Sequence, residues 1–316
     1  MDRRLKLVIT VDVEEDGLFS GRYPRIPPGT RSVSELGRVE FITREFGFPL
    51  TLLVTYPVAT NPDSRRLLKR WRRDLGAEIG THLHPWNTPP FVDLPHPEPV
   101  PSDLIPKTLL EEKLHTLNQS IQSHLDVRPR SFRMGRFDLG ATMRGLLPLC
   151  GLRVDSSIVP LRRVSKGPDH FAMPTEPFRW DGIEKGTAPL LEVPLTQVAL
   201  HAGLARFMDK AGSSVGAHGR DLLLSWFRNV GVVGVQPAWF PLPSMQWAAC
   251  LHHWRGGRVL TMFLHSTELL PGGTPDFPSE AAVGRLTSRF RAFLTWLANR
   301  YTVEGVTLSQ LFESPG

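Results

Sequence analysis

The chain has 316 residues, 41% of them hydrophobic and 22% charged, with a formal net charge of +6. That balance suits a globular chain that buries a large core, and no internal repeat or low-complexity tract argues otherwise. No run approaches the ~18 continuous apolar residues of a spanning helix. Met1-Asp2-Arg3-Arg4 leads into an apolar run that ends in acids rather than in a small-residue cleavage site, so no secretory leader is read and a cytoplasmic chain is expected. The two cysteines, Cys150 and Cys250, are read as packing residues.

The predicted elements open with a strand over residues 5–12. A second strand over 50–55 is followed by a helix that starts near residues 61–64, where Asn, Pro and Asp supply first-turn chemistry, and stops at Gly76. On it Leu67, Leu68, Trp71 and Leu75 recur at three- and four-residue spacing beneath a basic face of Arg65, Arg66, Lys69, Arg70, Arg72 and Arg73. A solvated surface helix is the plain explanation of that face. Peripheral contact with an anionic membrane or a phosphorylated sugar carrier is the sharper one. Nucleic acid is not expected, because no recognised binding module accompanies the charge.

A third strand over 77–84 leads into a proline-rich loop over 85–106, whose length suggests a lid or binding loop. A helix on Leu110, Leu114, Leu117, Ile121 and Leu125 precedes a short strand into Ser131-Phe132-Arg133 and a helix over 139–149. Strands are then expected over 153–157, 190–195 and 259–265, and a last helix on Val283, Leu286, Phe290, Phe293 and Leu297. Apolar strands alternating with helical patterns argue for parallel strands joined by crossover helices. Residues 160–188 and 201–245, with Gly and Pro scattered through both, resist this pattern. Together with 85–106 they are expected to be insertions near the mouth of one catalytic domain spanning 1–316.

Three polar clusters fall at C-terminal ends of predicted strands, the end where a parallel α/β barrel builds its active site. In Thr10-Val11-Asp12-Val13-Glu14-Glu15-Asp16, strand periodicity puts Asp12 and Glu14 on one face. Carboxylates so placed repel unless a cation or proton lies between them. In Gly80-Thr81-His82-Leu83-His84-Pro85-Trp86-Asn87, His82 and His84 share a face and could offer ring nitrogens to one ion. Two imidazoles and a carboxylate, with a position left for water, make the ligand set of a hydrolytic zinc site. His265, at the end of the apolar run 259–264, suits a general acid near neutrality.

In this order the clusters resemble the polysaccharide deacetylase family, the NodB-type carbohydrate esterases of family 4, over most of the chain. The resemblance implies an α/β fold, a distorted (β/α)7-type barrel, and hydrolysis of an N-acetyl group on an amino sugar or glycoconjugate. It implies Asp12 as catalytic base, Arg133 in Ser131-Phe132-Arg133-Met134-Gly135-Arg136-Phe137 as the arginine that orients it, and His265 as acid. Glu14, His82 and His84 are the implied metal ligands. The chain departs from the family pattern in three places. Asp12-Val13-Glu14 replaces two adjacent aspartates, one residue rather than three separates the histidines, and the prolines usual around the arginine are absent, with the aromatic displaced to Phe137. Glu14, Glu15 and Asp16 therefore stay open as the ligand carboxylate, with parity favouring Glu14, and His84 is preferred to Asn87 as the last ligand.

Zinc leads as the cofactor, with cobalt, nickel, manganese or iron able to substitute at such donors. Trp86, Asn87 and Arg136 are expected to contact substrate, Arg136 by pairing with a carboxylate or phosphate. Trp239, Phe240 and Trp247 are read as core, with the cleft as the alternative. Two other functions fit the same residues: a same-fold hydrolase opening a cyclic amide or imide, and a catalytically silent glycan-binding protein.

Overall fold

The computed structural model describes residues 3–164, 167–180, 189–213 and 217–313. Strand β1 (Arg4–Val13) sets the pattern of the sheet: Leu5, Leu7, Ile9, Val11 and Val13 face the surrounding helices, and Val8, Thr10 and Asp12 face inward. After it come α1 (Phe41–Phe46), β2 (Leu50–Val54), α2 (Tyr56–Thr60), α3 (Pro62–Leu75), β3 (Glu78–Leu83), α4 (Lys107–Leu125), β4 (Ser131–Met134), α5 (Ala141–Leu149) and β5 (Val154–Asp155). The remainder holds β6 (Phe178–Arg179), β7 (Leu191–Glu192), β8 (Gln197–Ala199), α6 (Ala202–Ser213), α7 (Ala217–Gly231), β9 (Val232–Gly234), α8 (Leu242–Trp254), β10 (Val259–His265), α9 (Glu280–Arg300), β11 (Thr302–Gly305) and α10 (Leu308–Glu313).

Along β10-β1-β2-β3-β4-β5-β7 the strands are parallel, while β6 adds an antiparallel edge and β11 pairs with the first half of β1. The sheet curls until the chain beyond β7 reaches β10. There the Thr196 amide donates to the Thr261 carbonyl at 3.0 Å and the Thr261 amide donates to Thr196 Oγ1 at 2.8 Å. This is the distorted (β/α) barrel that the resemblance implies, built from the parallel strands that the alternating pattern predicts. Its inner face divides in two. At the N-terminal end Val8, Leu53, Val154, Leu191 and Val259 pack against Leu308 and Leu311 of α10, and the C-terminal end is polar. All the chemistry is therefore gathered at one rim.

The helices form for local reasons. Asn61 Oδ1 accepts the Asp63 and Ser64 amides, each at 3.0 Å, and Gly76 ends α3 in the left-handed conformation, at a φ of 64°. Leu68, Trp71 and Leu75 of α3 are buried, each worth ~1.5–3 kcal/mol of transfer free energy. On the outer face Arg66, Lys69, Arg70 and Arg73 meet Asp63, Asp126, Glu40 and Asp74, so most of the basic run is neutralised by the protein itself. Among the described residues no helix is long and apolar enough to cross a membrane. Cys150 and Cys250 are free and half-buried, Cys150 packing against the main core.

Two expectations change. The stretch 201–245, expected to be irregular, contains α6, α7 and the start of α8, with β8 and β9 paired antiparallel beside them. Ala205, Met208, Leu224 and Phe227 are buried while Leu204, Phe207, Leu222 and Trp226 are exposed, so apolar residues on both faces erase the helical period. The strands expected over 153–157 and 190–195 shorten to two residues each, and at the end of β5 Ser157 turns back to bond Asp155 through both its amide and its hydroxyl. Of the stretch 160–188, residues 165–166 and 181–188 lie outside the described residues.

Asp155 and Glu192 are register partners on β5 and β7, and both are fully buried. Burial raises the pKa of each, and the neighbouring Asp155 carboxylate raises Glu192 further, so Glu192 keeps a proton that it shares with Asp155. A carboxyl whose folded pKa lies above its unfolded value of 4.5 costs stability progressively as pH rises through that interval. Glu192→Gln keeps a hydrogen-bond donor and removes the titration. Its melting temperature relative to the parent is expected to climb between about pH 5 and pH 8. A difference that stays flat across that range contradicts the shared proton.

Candidate metal centre

Strand parity delivers the residues and the loops beyond the strands orient them. β3 ends at Leu83, so His82 and His84 both turn to the inner rim, where their Nε2 atoms lie 3.0 Å apart. His82 Nδ1 lies 3.0 Å from the Arg133 carbonyl, which can only accept, so this nitrogen carries the proton. His84 Nδ1 lies 2.8 Å from Glu15 Oε1. Burial pushes the Glu15 carboxyl up, but the charge and hydrogen bond of His84 and the Thr55 hydroxyl outweigh it and keep Glu15 ionised. His84 Nδ1 therefore also carries its proton.

Nδ1 of each ring is thus committed to its outer partner, and the two Nε2 atoms are what the rings present to each other and to the rim. Glu14 Oε2 stands 3.7 Å from each of them. Burial raises Glu14 to about 7, with Asp12 and Glu15 adding to the shift against the opposing pull of His265 and His84. Two ring nitrogens and a carboxylate oxygen that lie within 4.8 Å of one another form a donor set that one cation can bridge. The 3.0 Å separation is near the ~3.3 Å edge of a tetrahedron with ~2.0–2.1 Å bonds. The outer partners, a carbonyl for one imidazole and a carboxylate for the other, are those that metal-binding histidines usually have. Glu14, His82 and His84 thus fit a divalent cation.

Beside this triad Arg133 is wholly buried. Its Nη1 donates to Asp12 Oδ1 at 2.5 Å and to Thr10 Oγ1 at 2.9 Å, its Nε to the Ser156 carbonyl at 2.7 Å, and its Nη2 to Ser156 Oγ at 2.8 Å. Burial works against the Asp12 carboxylate, yet Arg133, His82 and His265 together hold it below the ordinary range. Across the rim His265 is the register partner of Asp12 on β10. Its Nδ1 pairs with Glu268 Oε1 at 3.0 Å, which leaves Nε2 free to face the cleft. Burial opposes its charge, but Glu14, Glu268 and Asp12 raise it to about 10, so it is protonated at neutral pH.

Asp12, Glu14, His82, His84, Trp86, Arg136 and His265 all line one cleft of about 320 Å³. Trp86 stacks on His84 at 4.3 Å. Asn87, expected to contact substrate, does not line the cleft: it is buried and its amide donates to Glu15. Glu15 supports His84, and Asp16 binds the amides of Arg31 and Ser32. Trp239 is a wall of the cleft, Phe240 packs against the core, and Trp247 is 65% exposed.

Sequence reasoning missed Phe19 and Tyr23, which reach the cleft from the loop after β1, and Arg162 and Val164 from the loop after β5. It also missed Gly135, where a Cβ would collide with the His84 ring and the Leu83 carbonyl. A larger hollow of about 840 Å³ opens at the other end of the barrel around β11, but no histidine, cysteine or carboxylate cluster lines it.

The two acids next to Glu14 separate in a metal titration. Glu15→Gln, which no longer fixes the His84 tautomer, is expected to weaken zinc binding ~10–100-fold in a chelator competition. Asp16→Asn is expected to leave it unchanged, and equal effects would contradict the assignment of Glu15 as the support for His84.

No family model and no curated protein matches the sequence. Solved structures do. A polysaccharide deacetylase candidate from Mycobacterium smegmatis is similar with a TM-score of 0.56 and 18% identity, over 99% of this chain and 90% of its own. A candidate glycoside hydrolase/deacetylase from Parabacteroides distasonis is similar with a TM-score of 0.60 and 14% identity, over 99% of this chain and 70% of its own. A carbohydrate esterase family 4 pseudoenzyme from Bacillus anthracis is similar at a TM-score of 0.48 and 10% identity, over 98% of this chain and 66% of its own. The chain has the fold of the polysaccharide deacetylases, the NodB-type barrel.

Proposed function

We propose that the chain is a divalent-cation-dependent hydrolase that removes an acyl group, most simply N-acetyl, from an amino sugar or glycoconjugate. One observation carries this: a cation-ready Glu14, His82 and His84 set shares a cleft with an ionised carboxylate, Asp12, and a protonated imidazole, His265. Zinc suits two nitrogens and one oxygen, and cobalt, nickel, manganese or iron can occupy the same donors. When bound, the cation supplies polarisation of the acyl carbonyl and a more acidic water.

The chain's own residues do the rest. Asp12 Oδ2 lies 3.8 Å from His82 Nε2, which puts the free oxygen of the Arg133-anchored carboxylate next to the cation site. That oxygen accepts a proton from the attacking water as the new C–O bond forms. His265 gives its proton to the departing nitrogen as the C–N bond breaks, leaving acetate and a free amine. Arg133 and Glu268 act as positioning residues, each bonded to the group that moves a proton. Phe19, Tyr23, Trp86 and Trp239 supply apolar walls of the kind on which sugar rings rest.

The test is acetate release from a panel of N-acetylated sugars by zinc-loaded protein, with and without a chelator. Release from at least one substrate, abolished by the chelator and restored by zinc, is expected; release from none overturns the proposal. Asp12→Asn is expected to keep its zinc and lose ~10²–10⁴-fold in turnover, since it removes the base and none of the three ligands. Full activity in that variant would remove Asp12 from the mechanism.

A further inference from the structure

Most cations of α3 have carboxylate partners, but among the described residues neither arginine of the cleft wall forms an ion pair. Arg162 is half-buried in the loop after β5 and stacks over the Trp239 ring at 5.2 Å. Among the described residues its guanidinium has neither an ion pair nor a hydrogen bond. Partial burial, with the like charges of Arg228 and Arg136 adding to it, lowers its pKa to about 10. A partly desolvated cation among like charges is a ready partner for an anion.

Arg136 faces the same space. It and Phe137 take left-handed backbone conformations, at φ of 59° and 60°, which non-glycine residues rarely adopt in succession. This turn carries the Arg136 guanidinium over the Tyr23 ring, at 5.7 Å, on the cleft wall. Of the carboxylates nearby, Asp138 is close enough for Arg136 to pull its pKa down against the rise from burial but forms no ion pair with it among the described residues, and the others are engaged elsewhere. Asp138 accepts the Ser102 amide at 2.7 Å, Asp12 is held by Arg133, Glu14 by Thr267 and the imidazoles, and Glu268 by His265. Asp276 sits exposed on the rim and is not among the charges acting on Arg162.

We propose that the cleft is built for an anionic acyl-sugar, whose carboxylate or phosphate docks between Arg162 and Arg136 while the acyl group lies at Glu14, His82 and His84. This rests on the hydrolase assignment above for the acyl end only. The cleft volume of about 320 Å³ is at the low end of ligand pockets, ~300–1,000 Å³, so the anion belongs to the acylated sugar itself or to its immediate linkage. Arginine suits this task, since its planar fork pairs with either oxyanion through two parallel hydrogen bonds.

The experiment is calorimetric binding to chelator-treated protein, which reads the arginines without turnover. The probes are N-acetylglucosamine, N-acetylglucosamine 1-phosphate and N-acetylmuramic acid. At least one anionic sugar is expected to bind ~10-fold or more tightly than the neutral one, with an advantage that shrinks as salt is added. The preferred probe tells phosphate from carboxylate. Arg162→Met keeps an aliphatic stem over Trp239 and is expected to abolish the advantage, while Arg162→Lys retains part of it.

Equal affinities for the three sugars, no detectable binding of any, or an advantage that survives Arg162→Met overturns the proposal, even if acetate release succeeds. Anion-selective binding with no acetate release would instead keep this site and remove the hydrolase assignment.

Discussion

Two imidazole nitrogens, the Nε2 atoms of His82 and His84, held 3.0 Å apart in a buried barrel rim are the constraint on which the rest of this site depends. Neither ring is free to flip and exchange its nitrogens. The Arg133 carbonyl fixes one ring and the Glu15 carboxylate fixes the other. Gly135 gives the second ring its room and Trp86 covers its face. Arg133 serves twice, since the residue whose carbonyl orients His82 also clamps Asp12 with its guanidinium. The proposed cation site and the proposed base, Asp12, are thus coupled through one residue of β4.

The barrel supplies the setting for that arrangement. Its parallel strands end together, so side chains of one parity converge at a single rim, and α10 plugs the opposite end with Leu308 and Leu311. The polar rim is affordable because nearly every buried charge there has a partner: Asp12 with Arg133, Glu15 with His84, Glu268 with His265. Glu14 with its facing imidazoles is the exception, and the cleft-wall arginines add unpaired charge beside it. The cation and the anion proposed above would complete the pattern.

Much of this was legible in the sequence because it is periodic. Alternation along residues 5–12, 50–55 and 259–265 marks the strands, and the same alternation puts Asp12 with Glu14 and His82 with His84. What separates Glu14 from Glu15 and Asp16 is not periodic. It depends on Thr55, Asn87, Arg31 and Ser32, which are brought in from other loops. The same holds for Phe19, on a single 3-10 turn, for Tyr23 and Arg162, which reach the cleft from segments without regular structure, and for Gly135, whose lack of a side chain matters only because His84 stands against it. Asn87, next to the ligands in sequence, turns away from the cleft because Glu15 needs a donor.

The most direct test of the account is the protonation state of the two imidazoles. Nitrogen-15 correlation spectra of the metal-free protein should show His82 and His84 both carrying a proton at Nδ1. Adding one equivalent of zinc should shift both Nε2 signals together. An Nε2–H tautomer at either residue that zinc leaves untouched would contradict the claim that these two nitrogens and Glu14 hold a cation.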